Sequence, residues 1–548
     1  LFAIIELIHS QQPKPKFFFR KDPVSKHLWR VISILTILLS AAIALLPYLV
    51  LTIPNPAAAS DAPSTRRAVQ TISLLSQSPR SVGTDHHIAT RAFLIDELTR
   101  LGLEVDLQET AVAGQPIPLV NILGRMAGKS QNHEAVVIMA HYDSSEGSPG
   151  AMDNGSGVAI VLEIARAITE GPQPENDLIV LFTDAEEQGV LGAPEFVSRH
   201  PWAKSVRAAL NFDSISVGPV FLWQTSPQNG WLIEQYAASP RPVAVSWIDS
   251  IARLLPLDTD FRPFLEAGIS GASFTTAYLP AQDHTSLDQI HLVNPASVQH
   301  SIEQGLALTN SLLNSDLSAV SAPDRAYLNP WGSWFVSYST GTAVGLGLFA
   351  GLVTLAVFLF RGLRKTTSIK ETAAAAFFTT ANLLFALLFQ FALEIITFVS
   401  VPLLSPWVKI PLSLVLLSLF LVWGFWRVQK RVSLTALLFG AQMVWAVLTV
   451  WASLAIPPLS PPLTSILLAS LLPYCLDFLH LKEPLAWAVQ AISLALVLLL
   501  GAPVVYLLYM ITGLIWIPAM LGAFVWVMLL ALIFPNLTRT PYASRPVR

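Results

Sequence analysis

Hydrophobic positions follow two regimes along this chain. From about residue 60 to 325 they come in short clusters between polar and charged stretches, whereas 336–535 is nearly continuous apolar sequence broken by short polar loops. In the first regime, Ser64–Ser78 and Ala89–Leu101 have helical spacing, and Phe93, Leu94, Leu98 and Leu101 share one face of the second. Gly102 ends that helix. LEVDLQET, Val120–Gly124, Ala135–Ala140, Asp177–Asp184, Val206–Asp213 and GASFTTAY read as strands. The runs Val136-Val137-Ile138 and DLIVLFTD are apolar on both faces, as a buried parallel strand requires. Gly157–Glu170 reads as a helix stopped by Gly171-Pro172. Strands alternating with helices over about 250 residues predict a three-layer α/β domain with a largely parallel mixed sheet. Its core is large enough to hold without disulfides.

The second regime predicts an all-α membrane region. A span needs about 20 apolar residues. Val31–Ile53 qualifies, with no small-residue cleavage site at its end, so it reads as an uncleaved anchor. Seven more candidates lie near 336–360, 373–400, 409–426, 433–455, 463–479, 484–507 and 513–534, which gives about eight transmembrane helices. Lys14, Lys16, Arg20, Lys21, Lys26 and Arg30 precede the first span. Arg361, Arg364, Lys365 and Lys370 follow the second, Arg427, Lys430 and Arg431 the fourth, and Lys482 the sixth. The intervening short loops hold only Lys409. Positive charge collects on the cytoplasmic side, so both termini are expected there and the α/β domain on the opposite face. The expected division is a cytoplasmic tail at 1–30, an anchor at 31–53 and a soluble domain at 60–316. A linker at 317–335, seven spans within 336–535 and a cytoplasmic tail at 536–548 complete it.

Composition narrows the function classes. A formal net charge of −3 on 548 residues offers nucleic acid nothing to bind. The single cysteine, Cys475, lies in an apolar run, which excludes an intrachain disulfide and a thiolate metal site. The soluble part has no cysteine, and its Asn-x-Ser/Thr sequon is Asn154-Gly-Ser. That favours an outward-facing domain on a bacterial plasma membrane over a glycosylated domain of an endoplasmic reticulum or vacuole. Within the spans, Gln390 and Glu394 are one helical turn apart and face the same way. An inward-facing hydrogen-bonded pair is the simplest account of them, although an intramembrane acid marks a candidate functional site.

The chemistry collects at strand ends. His141 and Asp143 follow one apolar strand, and a Ser/Gly/Pro loop then presents Asp153. Glu186 and Glu187 follow the next strand, Asp213 a third, and His284 follows GASFTTAY. Open α/β sheets bind ligands at the carboxyl ends of their strands. Two histidines with several carboxylates suit Zn²⁺ or a similar divalent ion. An uncompensated cluster of five acids would repel itself, so a second cation explains their number. His291 is the rival of His284. His86, His87, His133, His200 and His300 follow no such strand and read as surface or helix-packing residues.

In order, HYDS…AMDNGSG, FTDAEEQGVLGAPEFV, LNFDSI and DHTSLDQ resemble the co-catalytic zinc exopeptidases of metallopeptidase clan MH, family 28. TDFRPFLEAGISG, together with one anchor before the domain and many spans after it, is similar to the endoplasmic reticulum metallopeptidase and vacuolar membrane protease branch. The resemblance implies two zinc ions per chain. Asp153 would bridge them, His141 and Asp213 would complete one site, and Glu187 and His284 the other. Asp143 would orient His141, and Glu186 would be the general base acting on a water between the metals. It also implies a non-proline cis bond at Asp153-Asn154.

The reading that follows is a membrane-tethered aminopeptidase acting on peptides. A dipeptidase or carboxypeptidase of the same fold would need cations for the substrate carboxylate, with Arg241, Arg253 and Arg262 available. A glutaminyl cyclase relative would use one zinc. A receptor-like ectodomain would have lost ligands, and this chain keeps all five and the base.

Overall fold

The computed structural model describes residues 62–112, 117–253, 258–278, 284–329, 335–363, 368–400, 406–428, 431–476, 483–510 and 516–538. The expected anchor at Val31–Ile53 lies outside the described residues.

The soluble part opens with α1 (Pro63–Leu75) and α2 (Asp85–Arg100). Thr84 caps α2 by accepting from His87 N, and Gly102, at φ +74°, turns the chain back after it. Then come β1 (Glu104–Thr110), β2 (Leu119–Met126), β3 (Ala135–His141), α3 (Gly157–Thr169), β4 (Asp177–Thr183), α4 (Gly192–Arg199) and β5 (Val206–Phe212). They are followed by β6 (Val217–Thr225), α5 (Gly230–Ala237), α6 (Ser246–Ala252), α7 (Arg262–Glu266), β7 (Ser270–Tyr278) and α8 (Pro295–Leu313).

The sheet order is β1-β2-β4-β3-β5-β7-β6. The four central strands β4, β3, β5 and β7 are parallel, while β1, β2 and β6 join antiparallel. The sheet is therefore mixed, parallel at its centre alone. β1 and β2, consecutive in sequence, pair antiparallel, and β6 pairs antiparallel with β7; the parallel pairs β3/β4, β3/β5 and β5/β7 are separated in sequence by helices. Every residue of β3 and β4 is buried, because helices cover both faces. One face packs Val136, Ile138, Val180 and Leu210 against α1, α3 and α8. The other packs Val137, Ile179 and Leu181 against Phe196 of α4 and Phe264 of α7. The layers match the alternation read from the sequence; β6 and α8 were not anticipated.

The expected linker is partly ordered into the fold. β8 (Arg325–Leu328) pairs with β9 (Val336–Ser339), and Tyr327 is buried in the main core. The apolar tail forms α9 (Thr340–Leu363), α10 (Ile369–Ser400), α11 (Pro406–Val428), α12 (Leu434–Ala455), α13 (Ser460–Cys475), α14 (Glu483–Met510) and α15 (Trp516–Thr538). Among the described residues, four helical stretches are long and apolar enough to cross a membrane: Thr340–Leu363, Ile369–Ile395, Leu434–Ala455 and Ala488–Val505. That is fewer than the eight expected, and the expected anchor is not among the described residues. Of the other tail helices, α13 has 16 residues, and the apolar stretch of α15 among the described residues is Met520–Ile533.

Candidate active site

The parallel centre of the sheet explains how distant segments meet. With β4, β3, β5 and β7 side by side, their carboxyl ends carry Glu186 and Glu187, His141 and Asp143, Asp213, and the segment holding His284 to one edge. Asp153 arrives from the turn Ala151–Ser156 that starts α3. Asn154 anchors that turn: its Nδ2 donates to Phe212 O at 2.9 Å, and its Oδ1 accepts from Gly157 N at 3.0 Å. A Cβ on Gly157 would lie 2.2 Å from Asn154 Oδ1 and 2.3 Å from Phe212 O, so this approach requires glycine. The Asp153-Asn154 bond is cis, as the resemblance implied. Asn154 is fully buried, so the one sequon of the domain is closed to modification.

Asp153 stands at the middle of the cluster. Its Oδ1 is 3.1 Å from His141 Nε2, and its Oδ2 is 2.8 Å from His284 Nε2. His141 Nε2 is also 3.5 Å from Asp213 Oδ1 and 4.0 Å from Glu186 Oε2. His284 Nε2 is 3.5 Å from Glu187 Oε2. Two triads result, His141–Asp153–Asp213 and Asp153–Glu187–His284, and in each the ligand atoms lie within 4.8 Å of one another. Imidazole and carboxylate donors without thiolate are a set that zinc accepts, and sharing one carboxylate would balance two cations. The residues present therefore fit the group that the sequence implied. His291 lies exposed in the turn Ile290–Leu292 and joins neither triad.

Asp143 works beneath this layer. Its Oδ1 lies 3.3 Å from His141 Nδ1, and its two oxygens accept from Glu186 N and Glu187 N, each at 3.2 Å. One carboxylate thus sets both the imidazole and the turn bearing the two glutamates, with Ala185 at φ +57° completing that turn. Glu187 accepts from Ser145 N at 3.1 Å and from the Ser145 hydroxyl. The Glu186 carboxylate accepts no hydrogen bond among the described residues.

The electrostatics follow from burial and crowding. Burial pushes Glu186 well above the usual carboxylate range, and Asp213, Asp260 and Asp153 add to it against the pull of His141. Burial followed by Asp153 pushes Glu187 up to about 7. Burial would also raise Asp153, but hydrogen bonds from His141 and His284 outweigh it and hold this acid below the usual range. Burial would lower His141, and hydrogen bonds to Asp143, Asp153 and Asp213 outweigh it and raise the ring well above its ordinary value. The cluster asks for positive charge.

Four supporting groups escaped sequence reasoning. Asp288 holds the turn of Asp153 by accepting from Met152 N at 2.8 Å and Asp153 N at 3.1 Å. It belongs to DHTSLDQ, four residues after His284, so proximity in the motif was the available signal. Arg80, fully buried, donates to the carbonyls of Leu75, Tyr142, Pro149 and Gly150 at 2.6–3.1 Å and ties down the loop before Asp153. His87 is buried, stacks on Tyr142 and lies 2.9 Å from Asp184, which also accepts from the Tyr142 hydroxyl at 2.9 Å. Asp260, in TDFRPF, is fully buried and accepts from the Thr183 hydroxyl next to the strand end. Asp260 lies in TDFRPFLEAGISG, which the resemblance had singled out without assigning this residue a role; Arg80 and His87 lie outside the quoted motifs.

The arginines considered for a substrate carboxylate are engaged elsewhere. Arg241 pairs with Glu303, Arg253 reaches Asp249 at 2.8 Å, and Arg262 pairs with Asp258 and with Glu266 at 2.8 Å.

A mixed α/β sheet with a histidine–carboxylate cluster at the ends of its parallel strands is the frame of a metal-dependent hydrolase. Residues 121–309 match Peptidase family M28, and this part of the chain is an M28 peptidase domain, a metallopeptidase domain. The chain is 27% identical over 307 residues to endoplasmic reticulum metallopeptidase 1 of Mus musculus, covering 54% of this chain and 32% of the relative. It is 30% identical over 199 residues to the vacuolar membrane protease of Candida tropicalis, covering 36% and 22%. The chain thus spans about a third or less of the length of these curated relatives. Among solved structures it is similar to BSAP, a zinc aminopeptidase from Bacillus subtilis, at 18% identity and a TM-score of 0.37, covering 47% of this chain and 97% of that one. A glutaminyl cyclase of Porphyromonas gingivalis stands beside it at 19% identity and a TM-score of 0.38, covering 46% and 100%.

Proposed function

We propose that the protein is a membrane-held exopeptidase that uses two zinc ions and removes N-terminal residues from peptides. The observation that carries this reading is the placement of Asp153: its two oxygens face two different histidines, and each histidine has a further acid beside it. His141, Asp153 and Asp213 would hold one ion, and Asp153, Glu187 and His284 the other. Zinc held there would supply an activated water and polarise the scissile carbonyl. The chain's own residues do the rest. Glu186 borders the cluster, keeps its carboxylate clear of other donors and has a raised proton affinity, so it takes a proton from water and returns it to the leaving amine. Asp143 fixes the orientation of His141 and of the Glu186-Glu187 turn.

Removal from the amino end is favoured over the carboxyl end because Arg241, Arg253 and Arg262 are each paired with acids of the chain. The charge pattern supports a peptidase domain on the non-cytoplasmic face, with its termini and the loops after α9 and α11 in the cytoplasm. The test joins kinetics with metal analysis on one sample. Glu186→Gln should lower hydrolysis of aminoacyl substrates by about 10²–10⁴-fold while bound zinc stays near two per chain. Undiminished activity removes Glu186 from the role of base. Turnover of N-blocked substrates with a free carboxyl end, in place of aminoacyl ones, reverses the preferred end.

A further inference from the structure

Successive residues of β6 point to opposite faces of the sheet. Val220 and Leu222 enter the main core, so Phe221 and Trp223 face the other way. Over β2, β3, β4 and β5 that second face is covered by α4 and α7. Neither helix reaches β6. Its cover begins with the segment after α5, where Leu222 N donates to Val243 O at 3.1 Å and Val243, Val245, Trp247, Ile248 and Ala252 form a second apolar layer. The layer is then closed by Val504, Leu507 and Leu508 near the end of α14, with Leu459 between α12 and α13 packed alongside.

The result is one continuous apolar cluster shared by the peptidase sheet and the tail. Trp223 is 9% exposed and Trp247 4% exposed within it. Burying two indoles is among the larger apolar contributions a contact can make. A polar contact fixes the register, since the Ser246 hydroxyl donates to Pro458 O at 2.6 Å. Val245 also bridges to Leu328 of β8, on the segment that leads into α9. The bundle end involved is the one opposite Arg361, Arg427 and Arg431, which lie at the far ends of α9 and α11 and before α12.

We propose that the helical tail is a structural layer of the peptidase domain, closing the second face of β6, and that it holds the domain in one fixed orientation over the end of the bundle away from the cationic loops. An anchor alone would need no such surface. A sheet face carrying Phe221 and Trp223 must be covered by something, and here the cover is a membrane helix of the same chain.

The experiment uses the full chain in detergent or nanodiscs and does not depend on activity. In a Cys475→Ser background, Ser246→Cys with Pro458→Cys should be joined by a short bis-maleimide in most molecules. Ser246→Cys with Ser433→Cys should not, because Ser433 caps the opposite end of α12, about 33 Å away along a helix of 22 residues. Separately, Leu507→Ser with Leu508→Ser should lower the temperature at which residues 62–329 become open to proteolysis by roughly 5–10 °C, against no change for Val447→Ser on the exposed side of α12. A 246/458 yield no higher than the 246/433 yield overturns the proposal, and so does an unchanged proteolysis temperature in the α14 variant. Loss of peptide hydrolysis in Glu186→Gln touches neither readout, so the two readings fail independently.

Discussion

The peptidase domain and the helical tail both bury polar side chains, and they treat them in opposite ways. In the tail, Thr354, Thr379, Thr449 and Ser453 each donate to the carbonyl four residues back in their own helix, at 2.7–3.0 Å. Asn382 does the same toward Phe378 O at 2.7 Å. Such groups are neutral and settle their hydrogen bonds locally, so burying them leaves no charge to balance. At the strand ends of the peptidase domain the buried groups are acids set against other acids, with two histidines among them. Local backbone cannot neutralise that arrangement. The difference separates polar groups that serve packing from polar groups held for a ligand.

The sharpest way to break this contrast is to remove the shared acid. Asp153→Ala deletes both oxygens that face His141 and His284. Bound zinc should fall below one per chain and hydrolysis below detection, while the tail keeps its fold. Chelation of the unaltered protein should reproduce the loss, and added zinc should reverse it. Two zinc ions retained in Asp153→Ala, counted by elemental analysis, would show that the carboxylate is not what joins the two triads.

A smaller effect tests whether the contrast extends beyond the site. His300, buried on α8, accepts from Val220 N through Nδ1 at 3.1 Å and meets Arg241 O through Nε2 at 3.1 Å. Burial holds this ring down at about 4, against an ordinary value near 6.5. The unfolded chain therefore binds a proton at this position between those values and the folded chain does not. Stability from this group is complete above about pH 6.5 and is lost as the pH falls toward 4, by on the order of 3 kcal/mol. In His300→Asn the acid-side slope of unfolding free energy of the peptidase domain should flatten over that window. An unchanged slope would mean that the ring is protonated in the folded protein.

What could be read beforehand follows the same division. Strands with apolar faces on both sides announce a covered sheet, and a polar residue directly after each of them announces an edge where ligands bind. Thus His141, Asp143, Asp153, Glu186, Glu187, Asp213 and His284 could be named, and the structure brings them within reach of one another. Groups that act on the site through backbone carry no such mark. Arg80 looks like an ordinary loop residue until the turn it holds is seen, and for Asp288 only its place in DHTSLDQ was a signal. The strand β6 was missed because its burial is completed partly by α14, some 280 residues later, which no local pattern records. Of the eight expected spans, four stretches are long and apolar enough among the described residues, and the expected anchor lies outside them.

The smallest predicted effect concerns the acid that the sequence places inside the tail. Glu394 lies within an apolar helix, and an acid there is a candidate for function by default. In the structure Gln390 Nε2 donates to Glu394 Oε1 at 2.8 Å, one turn apart on α10. The contact lies within one helix, as those of Thr354, Thr379, Thr449 and Ser453 do. Neither residue lies in the triads around Asp153. Glu394→Gln preserves the shape and a hydrogen-bonding oxygen while removing the charge, so the stability of the protein in nanodiscs should change by less than about 1 kcal/mol. Zinc content should stay as it is, and hydrolysis should stay within about twofold. A large loss of hydrolysis with zinc retained would move Glu394 from packing to function and would show that the tail does more than cover and hold the peptidase domain.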